Sequence, residues 1–122
     1  MINFSEIKIF EQIEFDKIFL IYKLFDQKIG QISIEKKDSI LISDFEVKED
    51  LRGFGVGSFI LKTCIDWLDK LELNLDYVAL VNTYSINIFL RSGFEVKSYK
   101  YLSKNHPLAK SYTFVVYKNF SH

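Results

Sequence analysis

The first half of the chain alternates. Ile32 and Ile34 stand between polar neighbours at period two, the pattern of a strand with one buried face. Residues 15–25 are rich in Ile, Phe and Tyr, which suit a pleated surface, and residues 4–10 alternate more weakly. Asp26-Gln27-Lys28 and Lys36-Lys37-Asp38 are polar breaks. The pattern predicts strands over 4–10, 15–25, 29–35 and 39–47, joined as an antiparallel meander. The period then changes. Ile60, Leu61, Cys64, Ile65 and Leu68 recur at helical spacing, with Lys62, Asp66, Asp69 and Lys70 on the other side. That predicts an amphipathic helix over 57–71. An apolar run within 74–81 predicts a fifth strand. A second helix follows over 83–92, with Gly93 as its left-handed cap. Two last strands, over 94–102 and 112–117, flank a loop at 104–110. The order is four strands, helix, strand, helix, two strands, which is a mixed α/β (α+β) layer fold.

At 122 residues the chain has the size of one domain, taken as 1–122. It is 48% hydrophobic, enough for a core at this length. Lys plus Arg and Asp plus Glu are both 16, a balance that argues against a nucleic-acid partner. No apolar run reaches the roughly 18–20 residues that cross a membrane, and the first residues lack an export pattern. A lone cysteine forms no internal disulfide, so a reducing, cytoplasmic setting is expected. Cys64 sits on the apolar helix face and is expected to be a small core residue. His106 and His122 have no companions at ligand spacing, and no metal is expected. With 12 Phe, 7 Tyr and 1 Trp the chain carries more aromatic surface than a small core hides, which suggests a homodimer.

The chemistry starts at Arg52-Gly-Phe-Gly-Val-Gly-Ser58, between a predicted strand and a predicted helix. Glycines let main-chain amides approach a ligand, and the helix start adds unpaired N–H groups and a positive dipole end. The stretch is a cradle for a diphosphate, with Arg52 as its cationic flank. Gly53, Gly55 and Gly57 alternate, so the dinucleotide spacing G-x-G-x-x-G is not met. No Lys precedes Ser58, so the P-loop spacing is not met either.

What remains resembles the acyl-CoA loop of the GCN5-related N-acetyltransferases. A second motif supports the resemblance: Asn82, Ser85, Phe89 and Gly93-Phe94 fall at the family's offsets. Locally, Asp44-Phe45-x-Val47 with the loop, and Asn82-x-x-Ser85-Ile86-Asn87, are similar to the diamine and polyamine acetyltransferases. The resemblance implies a sheet of about seven strands whose fourth and fifth members part to admit acetyl-CoA. The main chain of Phe45 to Val47 would pair with the pantetheine arm. Amides of Gly53, Phe54, Gly55, Val56, Gly57 and Ser58 would hold the pyrophosphate beside Arg52. Asn82, Ser85 and Phe89 would touch the cofactor from the other side.

The sequence also departs from that family. Its base on the fourth strand and its acid in the second motif are matched here by Ser43 and Phe89, which do not titrate usefully. Substitutes are Asp44 and Glu46, expected on one strand face by period two, with Tyr84 and Tyr101 as candidate acids. The two helices that follow the family's first strand have no room here, so an open acceptor side is expected. The implied activity is acetyl transfer from acetyl-CoA to a primary amine, on a protein or on a polyamine-like molecule. A non-catalytic acyl-CoA-binding module and a small β-rich interaction protein with a chance Gly-rich turn stay open beside it.

Overall fold

The computed structural model describes residues 2–82, 84–101 and 112–118, with side chains through residue 96. Seven strands form one sheet in the order β1-β2-β3-β4-β5-β7-β6. They are β1 (Lys8–Glu14), β2 (Lys17–Leu24), β3 (Gln27–Lys36), β4 (Ile40–Val47), β5 (Tyr77–Asn82), β6 (Glu95–Tyr101) and β7 (Tyr112–Lys118). Helix α1 (Val56–Lys70) lies between β4 and β5, and the short α2 (Ile86–Arg91) between β5 and β6. Among the described strands, only β4 and β5 run parallel. The element order is the one expected.

Boundaries moved where local hydrogen bonds outweighed alternation. Phe4–Glu6 is a 3₁₀ turn rather than strand, because Asn3 caps it by accepting from the Ser5 amide at 3.1 Å. β1 instead runs on to Glu14 and turns at once into β2, with Glu14 opposite Lys17. Phe15 sits in the turn with φ 54° and its side chain in solvent. Phe25 and Asp26 form the next turn, both at positive φ, so Phe25 is not strand. Gly93 has φ 94° and closes α2, its amide donating to the Leu90 carbonyl at 3.2 Å.

The core lies between α1 and the sheet. Ile60, Leu61, Cys64 and Leu68 of α1 meet Leu20, Tyr22, Ile32, Ile34, Ile40 and Ile42. Tyr22 Oη donates to the Ile60 carbonyl at 3.1 Å and lies 2.6 Å from Thr63 Oγ1, so a buried phenol is satisfied. Cys64 is fully buried, and burial pushes its thiol up to about 12, so it stays protonated and packs as a hydrophobe. Among the described residues, no helix is long and apolar enough to cross a membrane. No cluster of His, Cys, Asp and Glu suited to a metal occurs among them. Of the two histidines, both lie outside the described residues.

Candidate functional site

β4 and β5 pair over three residues only, Ile40 with Tyr77, Leu41 with Val78 and Ile42 with Ala79. Beyond that point β5 follows β7, with Leu80 opposite Val115 and Asn82 opposite Thr113. Among the described residues, the flank of β4 from Ser43 to Val47 has no strand partner on that side.

One inserted residue sets up this parting. Gln31 is opposite Glu46 and Ser33 opposite Ser43, so Ile32 faces both Asp44 and Phe45. That is a β-bulge, and Asp44 carries it with φ 52°. The bulge reverses the alternation. Ile40 and Ile42 point to α1, and so do Phe45 and Val47: a Cβ on Gly57 would lie 3.3 Å from Phe45 Cζ and 3.4 Å from Val47 Cγ2. Glu46 shares the opposite face with Gln31.

A cleft of ≈ 570 Å³ occupies the gap. Phe45, Glu46 and Val47 form one wall, and Asn82, Tyr84 and Ser85 the other. Arg52, Gly53, Gly55, Gly57 and Ser58 close one end. Gly55 is the N-cap of α1 with φ 85°, a conformation that side chains rarely adopt. No side chain caps this helix and no acidic residue stands in its first turn. The leading amides of α1 therefore point to the cleft end without competition. Arg52 Nε donates to the Val47 carbonyl at 3.3 Å, and its guanidinium lies 4.1 Å over the Tyr84 ring.

The expected cofactor residues divide accordingly. Phe45, Val47, Arg52, Gly53, Gly55, Gly57, Ser58, Asn82 and Ser85 line the cleft. Phe54, Val56 and Phe89 do not. Phe54 projects to solvent, and Val56, the first residue of α1, is buried in the core. Phe89 is fully buried edge-on between Phe45 (5.3 Å) and Phe94 (5.2 Å), so it supports the wall from behind. Asn82 Oδ1 accepts from the Ser85 amide at 3.0 Å and so shapes the turn into α2.

Of the candidate catalytic groups, Glu46 and Tyr84 line the cleft and Asp44 does not. Asp44 Oδ2 accepts from Ser33 Oγ at 2.8 Å and from Lys17 Nζ at 3.1 Å. Partial burial raises its pKa, but the Ser33 bond and the Lys17 charge outweigh this and hold it below the ordinary carboxylate value. A carboxylate so engaged is a weak base. The backbone of Tyr101 ends β6, and its side chain lies outside the described residues. Asn87, Ile88 and Arg91 also line the cleft; the sequence singled out Asn87 only as part of the second motif, and Ile88 and Arg91 not at all. The signal was present: Asn87 and Arg91 are four apart on a helix and so share a face.

The sequence matches the model of the acetyltransferase (GNAT) family over residues 3–94. The chain belongs to the GNAT family. Its Gly-rich loop is therefore not a chance turn. No curated protein matches the chain in sequence. Three solved structures show how the GNAT chain compares in fold. Nourseothricin acetyltransferase superimposes with a TM-score of 0.70 at 15% identity, over 87% of this chain and 66% of that one. A putative streptothricin acetyltransferase from Bacillus anthracis str. Ames, in complex with acetyl coenzyme A, gives 0.67 at 18%, over 87% and 64%. A GNAT family acetyltransferase from Elizabethkingia anophelis with acetyl-CoA bound gives 0.77 at 14%, over 94% and 99%. The chain thus spans a little under two thirds of the first two and nearly all of the third.

Proposed function

We propose that this GNAT chain transfers an acetyl group from acetyl-CoA to a primary amine by direct attack. The observation that carries the reading is the unpaired flank of β4 running to an uncapped helix start. An extended amide-bearing arm fits that flank as an added strand, and linked phosphates fit the helix start. Arg52 adds charge at the phosphate end, and Arg91 and Asn87 add donors on the facing helix. Bound there, acetyl-CoA supplies the activated thioester.

The chain's own part is then positioning and proton transfer. Holding the reactants in line accounts for roughly 7–11 kcal/mol of barrier in favourable cases. Main-chain N–H groups freed at the parting of β4 from β5 are aimed where a carbonyl oxygen gains charge. Glu46 is the carboxylate on the cleft wall, and it takes the amine proton through a water. Tyr84 stands with Arg52 at the phosphate end, which suits it to holding Arg52 rather than to protonating sulfur.

The acceptor is a protein lysine or N-terminus. The direct β1–β2 turn supports this, since no helices follow β1 to wall the acceptor side. The local likeness to diamine and polyamine enzymes leaves a small diamine as the narrower alternative. A cytoplasmic setting fits the reduced, buried Cys64. A second reading, an acyl-CoA-binding module without turnover, is favoured by Ser43 and Phe89 at the positions of the usual base and acid.

Calorimetric titration of CoA, with thiol release assayed across peptides, proteins and diamines, decides between them. Binding with turnover on a peptide or protein supports the proposal. Binding without turnover on any acceptor leaves the module. No binding overturns both.

A further inference from the structure

Among the described residues, β1 is the edge strand of the sheet with no partner on its outer side, and all seven of its residues are exposed. Natural edges are blunted by proline, inward charges or short length. β1 has no proline, is seven residues long and exposes Ile9, Phe10 and Ile13. Ile9, Glu11 and Ile13 stand opposite Tyr22, Leu20 and Ile18 and so share the α1 face. Lys8, Phe10, Gln12 and Glu14 share the other face. Beside the strand, Ile9, Glu11, Trp67 and Lys70 border a hollow of ≈ 690 Å³.

The sequence Lys-Ile-Phe-Glu-Gln-Ile-Glu is complementary to its own reverse. Laid antiparallel about a two-fold axis at Glu11, Lys8 meets the second copy's Glu14 and Ile9 meets its Ile13, each twice. Opposite charges and paired β-branched side chains are the favourable cross-strand contacts. Phe10 meets the second copy's Gln12, a contact that neither helps nor opposes pairing; the one unfavourable contact is Glu11 with its own mate, and Lys70 on the wall of the same hollow is placed to offset it. We propose that β1 is the dimerisation strand of this protein, joining two copies into one continuous sheet. The cleft lies three strands away, about 14 Å at the usual strand spacing, so pairing leaves it open. The inference is independent of the transfer reaction.

Sedimentation equilibrium of the full chain tests it, with far-UV circular dichroism as the check on folding. The wild type is expected to be a dimer at tens of micromolar. Lys8→Glu and Glu14→Lys, each alone, should raise the dimer dissociation constant about tenfold or more, and the two together in one chain should restore it. Residues 8 and 14 are about 20 Å apart along the strand, so rescue arises only between copies. Lys8→Glu also gains attraction to Lys23 within the chain, opposite it in the hairpin, so its loss of dimer is not a loss of fold. A monomeric wild type, single reversals that leave the mass unchanged, or a double variant that stays monomeric would each overturn the proposal.

Discussion

The guanidinium of Arg52 rests on the ring of Tyr84, 4.1 Å from its centroid, while its Nε is held by the Val47 carbonyl. One side chain thereby links the end of β4 to the turn after β5, across the mouth of the cleft. Arg52→Ala should weaken CoA binding about tenfold to a hundredfold, the range for a charge-assisted hydrogen bond. The gap should narrow in ~1 M salt, where charges are screened within about 3 Å. Calorimetry at two ionic strengths measures both.

Tyr84 divides into ring and hydroxyl. Tyr84→Phe keeps the aromatic face and should leave CoA affinity and kcat within about twofold. Tyr84→Ala removes the platform, worth about 0.5–1 kcal/mol at an exposed site, and should cost severalfold in affinity. A large loss of kcat in Tyr84→Phe would instead make the hydroxyl the proton donor.

Gly55→Val puts a β-branched residue at φ 85°. Its conformational cost is about 1–2 kcal/mol, and it distorts the helix start that meets the phosphates. CoA affinity should fall more than tenfold while the thermal midpoint drops by a few degrees. Affinity equal to that of the wild type would contradict the assignment of this loop.

Gly57 is a packing position. A Cβ there would lie 2.7 Å from Ile88 Cδ1. Gly57→Ala should destabilise by about 1–3 kcal/mol through overpacking between α1 and α2. Ile88→Val removes the opposing methyl, so the double variant should be more stable than the sum of the two losses predicts. Urea unfolding of all four proteins closes the cycle.

Glu46 and Asp44 separate by role. Glu46→Gln should lower kcat by about 10²-fold or more with CoA affinity unchanged. Asp44→Asn should leave kcat within about twofold, because its carboxylate is committed to Lys17 and Ser33 off the cleft. The reverse result would exchange their roles.

Asp44 instead contributes to stability. Its carboxyl titrates lower in the folded chain than in the unfolded one. The contribution is whole above the unfolded carboxylate range and is lost as pH falls through the depressed native value. For a half-exposed pair it is worth under about 1 kcal/mol. Asn accepts positive φ, so Asp44→Asn isolates the charge. Unfolding free energies of wild type and variant should differ at pH 7 and converge in acid.

The order of elements was legible because the period of the apolar residues changes cleanly at Gly57. The phosphate end of the cleft was legible too, because glycines and an arginine mark it directly. Other features left no such mark. The bulge at Asp44 lies inside an apparently regular run, and only the register of β3 against β4 exposes it. The turn at Phe25-Asp26 uses positive φ without glycine, so an aromatic residue there resembled strand. Phe89 matched the family offset, but the rings of Phe45 and Phe94 on both sides decide that it buttresses the wall. Arg91 stayed hidden because a cation at the end of a helix is ordinarily explained by the helix dipole.

The extra residue at Asp44 works as the catch on a zip. Delete it, and Phe45, Glu46 and Val47 would keep their faces in a regular strand, β4 could close onto β5 along its full length, and the opening between them would vanish. The composition would hardly change. In this chain, the difference between a sheet with a doorway and a sheet without one is a single amino acid.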